Sequence, residues 1–335
     1  MKNNIKKILL LLVTIVFLYF VFVNLDIKEL LRVMKGFDLK YIFILCVSII
    51  VSLGFRAVCF KQLISLSVKP PLKELIPLCI TGASLNIVLP ARAGDIFRAV
   101  FIGQKYGINK VKVFGTVMLE RIFDVFVIFC FLLAGVFIYR KSQLALHLCS
   151  FAGIFLIMGA VFAFITYKYN KTDEICAYLT KKTKSLPFSG MIEKIIGFTN
   201  KSCNSFFNGF EVIDTPKRIL SALIASIGIW FFECMNFLIV IHGFGYDIHW
   251  SVTMFIISFI ALACMVPSTS IFIGPYQAAV IAAFSMYGIN KETALATSFV
   301  EQIIVTVVTT IIAAVFLLKN NISFKQLNEE IKQET

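Results

Sequence analysis

The chain has 335 residues, of which 59% are hydrophobic and only 15% charged, with a mean hydropathy of +0.88. Soluble domains carry roughly 25% charged residues, and none of this length could hide so much apolar surface in its own core; a soluble enzyme is excluded and an integral membrane protein implied. The 32 Lys and Arg against 19 Asp and Glu leave a net charge of +13. These cations lie in short polar gaps between apolar runs, the pattern of positive-inside topology and anionic headgroups, so nucleic acid is not an expected partner.

In chain order, a basic start (Lys2, Lys6, Lys7) leads into an apolar run from Ile8 to Val23. The run ends at Asn24-Leu25-Asp26 without a small-residue cleavage site, so it reads as an uncleaved first span. Further full-length spans are expected at 41–60, 113–139, 144–167, 218–243 and 293–318. Two apolar stretches differ. Residues 72–104 contain Pro77 and the polar run Asn86-Ile87-Val88-Leu89-Pro90-Ala91-Arg92-Ala93-Gly94-Asp95, and residues 251–288 are broken between Pro267 and Pro275. From Ile96 to Gln104 a helix rises only about 14 Å, half of the hydrocarbon thickness. Broken arms of this length read as re-entrant hairpins. The expected fold is therefore an all-α polytopic membrane protein with about six full transmembrane helices and two re-entrant helical hairpins, forming one domain. With both termini cytoplasmic, the inside segments hold 21 Lys and Arg, nine of them in the basic segment 168–218, and the outside segments hold 7. Complete crossing by the first hairpin would put the basic segment outside, against the positive-inside rule.

The chain also resembles itself. Tyr106-Gly107-Ile108-Asn109-Lys110 recurs as Tyr287-Gly288-Ile289-Asn290-Lys291, and at the same offset of 181 residues Thr116 meets Thr297 and Glu120 meets Glu301. Three spans separate the copies, so the second is upside down, as in transporters built from inverted repeats with paired broken helices. Repeat 1 covers about 72–139 and repeat 2 about 251–318. Chance, or a shared loop preference, is the alternative source of the five-residue match.

Polar residues inside apolar runs mark the candidate site. Glu120 and Asp124 share one helical face and Arg121 lies three residues before Asp124. Asp124 sits about 16 Å along the span that starts at Val113, near the bilayer centre, where charges are costly and pair with one another or line a wet path. The first hairpin carries the complementary Arg92 and Arg98 with Asp95 between them, so Arg92 or Arg98 is expected to meet Glu120 or Asp124. Such contacts serve either as a structural ion pair or as part of a headgroup site, because guanidinium grips phosphate with two parallel hydrogen bonds. Asp95 after Gly94 reads as an N-cap, and Pro275 after Gly274 as a first helical residue, so both hairpins aim a helix N-terminus into the protein. Asn86 and Gln277 are expected near the headgroup, or Asn86 on a carbonyl freed beside Pro90. Glu120, Arg121, Asp124, Glu301 and Glu233, the last sharing a face with Asn236, balance charge or couple protons. Arg56 is expected to snorkel to the cytoplasmic interface. The nine cysteines form no CxxC pair and the three histidines have no ligand spacing, so neither metal nor cofactor is expected.

These residues carry a resemblance. Asn86-x-x-Leu89-Pro90-x-Arg92-x-Gly94-Asp95-x-x-Arg98, then Gly107 and Glu120-Arg121-x-x-Asp124, resembles the signature of the lysylphosphatidylglycerol synthase transmembrane, or flippase-like, family. Pro267, Gly274-x-x-Gln277 and Tyr287-Gly288 resemble its second motif. The resemblance implies a multipass plasma-membrane protein, and in larger relatives a following domain that transfers lysine to phosphatidylglycerol while the membrane part moves the product between leaflets. With about 17 residues after the last expected span, against about 100 for a small domain, no transferase domain is expected here. The second motif lacks the glycine-rich, Glu-containing form of many relatives. The expected function is binding and translocation of an anionic or lipid-linked phospholipid. The alternatives are a non-catalytic partner of a glycosyltransferase or lipid-modifying enzyme, docked through the basic segment near Met191–Phe210, and a membrane-embedded headgroup transferase, for which no nucleophile–base pair stands out.

Overall fold

The computed structural model describes residues 21, 23, 25–64, 68–89, 92–139, 178, 180–182, 189–263 and 274–322. The expected spans 8–23 and 144–167, nearly all of 168–188, Pro90, Ala91 and the second break at 267–273 lie wholly or almost wholly outside them. Among the described residues the structure is all-helical: α1 (Ile27–Lys35), α2 (Lys40–Leu63), α3 (Leu72–Val88), α4 (Ala93–Tyr106), α5 (Lys110–Tyr139), α6 (Ser189–Asn208), a 3-10 turn (Glu211–Asp214), α7 (Pro216–Gly243), α8 (Trp250–Ala263), α9 (Pro275–Ser285) and α10 (Lys291–Lys319).

Of these, α2, α7 and α10 are long and apolar enough to cross a membrane. At 30 residues α5 is longer still, but it carries Glu120, Arg121 and Asp124 in its middle. The arms α4 and α9, of 14 and 11 residues, rise only about 21 and 17 Å, less than the roughly 30 Å of hydrocarbon.

The repeated pentapeptide is capping chemistry. Gly107 and Gly288 take left-handed backbone (φ 65° and 75°), and the following isoleucine N–H bonds back to the carbonyl five residues earlier, Ile108 to Gly103 at 3.0 Å and Ile289 to Phe284 at 3.2 Å. The next residue then starts a helix: Asn109 Oδ1 accepts from Val111 N–H at 2.8 Å and Asn290 Oδ1 from Thr293 N–H at 2.9 Å. One short sequence thus stops a helix and starts the next.

Packing repeats on a larger scale. α4 packs on α5 and α9 on α10; α3 lies against α4 and α8 against α9. The first arm of each hairpin also lies against the long helix of the other half, α3 on α10 and α8 on α5. α2 and α7 form the most extensive helix pair, antiparallel, with Asp38 N–H bonded to the Gly243 carbonyl (2.9 Å) where α2 begins and α7 ends. Midway, Ser52 Oγ donates to Glu233 at 2.7 Å, two residues 181 apart.

Polar connections meet in two separate sets. At one end Thr293 bonds Tyr246, and Phe37 packs edge-on against Phe244. At the other, Glu74 takes Lys105 and Tyr106, Lys112 pairs with Glu211 at 2.9 Å, and Asn109 bonds Ser205. α2, α7 and α10 each run from one set to the other. The first set draws on the gaps 24–40 and 244–249, expected outside, and on Thr293 at the start of the last expected span; the second draws on 104–112 and 168–218, expected inside, and on Glu74 at the start of the first hairpin.

Candidate functional site

Where α3 meets α4, two glycines allow the backbones to touch. A Cβ on Gly94 would lie 1.8 Å from the Gly82 carbonyl oxygen, and one on Gly82 would lie 2.9 Å from the Arg98 stem. Asn86 fastens the junction, donating from Nδ2 to Asp95 Oδ1 (3.1 Å) and accepting the Asp95 N–H (3.3 Å). Asp95 is not the N-cap. Arg92 holds that position, in left-handed backbone with φ 54°, while Asp95 is the third helical residue and turns its carboxylate towards arginines.

Six charged side chains from three helices close into one network. Arg98 donates to Asp95 Oδ1 and to Glu120 Oε2, both at 3.0 Å, with its guanidinium 5.1 Å from the Phe60 ring centre. Arg121 grips both oxygens of Asp95 (2.7 and 3.1 Å) and reaches Asp124 at 2.9 Å. Arg56 bonds Glu120 Oε1 at 2.7 Å and Asp124 Oδ2 at 3.0 Å. Trp230 Nε1 (3.0 Å) and Ser226 Oγ (3.4 Å) donate to the remaining Asp124 oxygen. Three arginines face three carboxylates, and the sum is zero. Arg98 and Glu120 side chains are 1% and 0% exposed, Arg56 13% and Arg121 22%.

The expected contact between the hairpin and α5 is made by Arg98 with Glu120. Arg56 corrects the snorkelling expectation, because its guanidinium turns into the network. The charge count held no signal for this, because Arg92, Arg98 and Arg121 already match the three carboxylates in number until the structure leaves Arg92 outside the network. Among the residues expected to meet a headgroup, Asp95, Arg98 and Gln277 are buried and Asn86 half-buried. Arg92 alone is exposed, and it forms no ion pair with any described residue.

In the second half α8, α9 and α10 pack together in the order of α3, α4 and α5, with other chemistry at the tip. Gly274 (φ 97°) caps α9 and Pro275 is its first residue, as expected. Gln277 Oε1 accepts the Gly274 N–H at 2.8 Å, and its Nε2 donates to Gln302 at 2.7 Å. Tyr276 donates its hydroxyl to Glu301. At the offset of 181, Tyr276 stands for Asp95, Gln302 for Arg121 and Glu301 for Glu120, so a phenol takes the place of one network carboxylate and an amide that of one arginine. Glu233 receives Ser52 at 2.7 Å and Asn236 Nδ2 at 3.4 Å. The described residues contain no grouping of three or more His, Cys, Asp or Glu able to hold a metal ion.

Long apolar helices packed around a largely buried, charge-paired centre define a multi-pass membrane protein. The chain belongs to the family of the lysylphosphatidylglycerol synthase TM region, whose model matches residues 7–313. It is also similar to a UPF0104 membrane protein of Methanocaldococcus jannaschii, 20% identical over 96% of this chain and 97% of that relative. No solved structure matches it.

Proposed function

We propose that this protein binds an anionic or lipid-linked phospholipid in the plasma (inner) membrane and moves it between leaflets, with the lipid phosphate received at Arg92. Arg92 is the observation that carries the reading. Left-handed backbone costs a non-glycine residue about 1–2 kcal/mol, yet this exposed arginine forms no ion pair among the described residues. It stands beside a network that is already neutral, so an anion there meets an uncompensated cation at the positive end of the α4 dipole. Arg98, Asp95 and Asn86 hold the tip in shape behind it, with Arg121 and Asp124 completing the wall. Gln277 gives the second tip the same service.

In this reading the stretches 72–104 and 251–288 are re-entrant hairpins related as an inverted repeat. The runs 8–23 and 144–167 join α2, α5, α7 and α10 as six spans, and both termini and the basic segment 168–217 face the cytoplasm. The interchangeable packing of the two halves and the two separate sets of polar connections support that arrangement. A separately encoded glycosyltransferase or lipid-modifying enzyme supplies or consumes the lipid.

Mass spectrometry of lipids retained by the gently purified protein tests the proposal. One anionic or lipid-linked species is expected to be enriched in wild type and depleted about 10- to 100-fold in Arg92→Ala, the equivalent of one charge-assisted contact of about 1.5–3 kcal/mol. Arg92→Lys is expected to retain part of it. Bulk lipids in equal amounts on both proteins would refute the headgroup site and favour a non-catalytic partner role.

A further inference from the structure

The carboxylates of the charge network are matched one for one by arginines. Glu233 on α7 and Glu301 on α10 are not, although both lie within helices long and apolar enough to cross the membrane. No Lys or Arg among the described residues comes within ion-pair distance of either. Their contacts are neutral: the Ser52 hydroxyl and Asn236 amide on Glu233, and the Tyr276 phenol on Glu301. Ionised carboxylates in such a setting cost several kcal/mol unless something positive joins them.

A second observation points to what joins them. Asn236 is 1% exposed; its Nδ2 reaches Glu233, yet its Oδ1 is buried with no hydrogen-bond partner. Ser48 Oγ, one turn from Ser52, and Thr297 Oγ1, one turn from Glu301, are likewise buried and unpartnered. Buried polar atoms of this kind are rare and call for an unseen ion, proton or water. Every free atom here is an oxygen, the ligand type of hard cations.

We propose that Glu233 and Glu301 hold a small monovalent cation, a proton or a sodium ion, with Asn236 Oδ1 and Ser52 completing the seat at Glu233. The other charges that reach these groups argue for a single positive charge. Glu233 and Glu301 repel each other, and Glu233 feels Asp124 but also Arg56, one turn along α2 from Ser52. Binding at this seat is independent of the headgroup reading; only its use, coupling cation movement to lipid movement, rests on it.

Trp230 lies one turn from Glu233 and is one of only two tryptophans, so its fluorescence reports on the seat. The purified full-length protein in detergent is titrated with sodium chloride against choline chloride from about 1 to about 100 mM, and separately with acid in choline chloride. Unfolding midpoint and tryptophan fluorescence are read in both series. A saturable rise of about 3–5 °C is expected with the cation that binds. A response to sodium but not choline assigns sodium, and a response to acid alone assigns the proton. Glu233→Gln, Glu301→Gln and, with both carboxyls kept, Asn236→Ala are expected to lose at least half of the shift. Arg92→Ala is expected to keep it, which separates failure here from failure of the headgroup site. No response to either cation, or one of wild-type size in all three variants, would overturn the assignment.

Discussion

Gly94→Ala is expected to keep the first hairpin from closing. The added methyl carbon would sit 1.8 Å from the Gly82 oxygen, 2.7 Å from its carbonyl carbon and 2.9 Å from Asn86 Oδ1. Two of those atoms are backbone, so no rotamer change relieves the clash and the arms must part by more than 1 Å. Parting them stretches the Asn86–Asp95 bonds and withdraws Asp95 from Arg98 and Arg121. A loss of roughly 3 kcal/mol, the upper end of overpacking penalties, is expected, read as a lower unfolding midpoint in detergent. Cys79 gives a local readout: it is fully buried beside Arg98 (3.8 Å) and should become reactive to thiol reagents in the variant. Gly54→Ala is the matched control. Nothing lies within 4 Å of its added carbon, and a helical Gly-to-Ala change there is expected to gain about 1 kcal/mol.

Removing Glu120 is expected to be at least as damaging. Its two oxygens serve Arg56 and Arg98 separately. In Glu120→Ala each arginine keeps one partner, Asp124 for Arg56 and Asp95 for Arg98, but three arginines then face two carboxylates in a largely buried site. Breaking a buried ion network from one side typically costs about 3–5 kcal/mol, and poor accumulation in the membrane is the expected phenotype. The companion Glu120→Leu with Arg98→Met removes one charge of each sign. It is expected to recover much of the lost midpoint, because buried ion pairs replaced by apolar residues of similar volume are often tolerated. Equal damage in both variants would show that packing, and not charge balance, makes Glu120 indispensable.

Much of this arrangement is legible in the sequence, for identifiable reasons. Apolar runs place α2, α5, α7 and α10 to within a few residues because helix length and hydrocarbon thickness are the same constraint seen twice. The pairing of Arg98 with Glu120 follows from opposite charges that have no water to turn to. Arg56 escaped that logic. Proximity to a helix end favours snorkelling, and with Arg92 counted beside Arg98 and Arg121 the three carboxylates are already matched in the sequence. The cap lies three residues before Asp95: Gly94-Asp95 has the composition of a cap, whereas the helix begins in the unusual backbone of Arg92. The Gly82–Gly94 approach leaves no periodic mark at all. The positions of Tyr276 and Gln302, though not their partners, follow from carrying the 181-residue offset past the pentapeptide to those that answer Asp95 and Arg121.

The cancellation of charge around Arg98 also has an electrical consequence. A transmembrane potential exerts no net force on a group of fixed charges that sums to zero, so the network can lie in the field without responding to it. One uncancelled charge moving through the whole field exchanges about 2.3 kcal/mol per 100 mV. Arg92 is the uncancelled charge beside this site. In the transport proposed above, Arg92 carrying a singly negative headgroup would be neutral and the loaded step blind to voltage, while an empty return that moved the bare cation would bear the electrical work. Polarising the membrane would therefore set the pace of the return step and leave the loaded crossing unchanged.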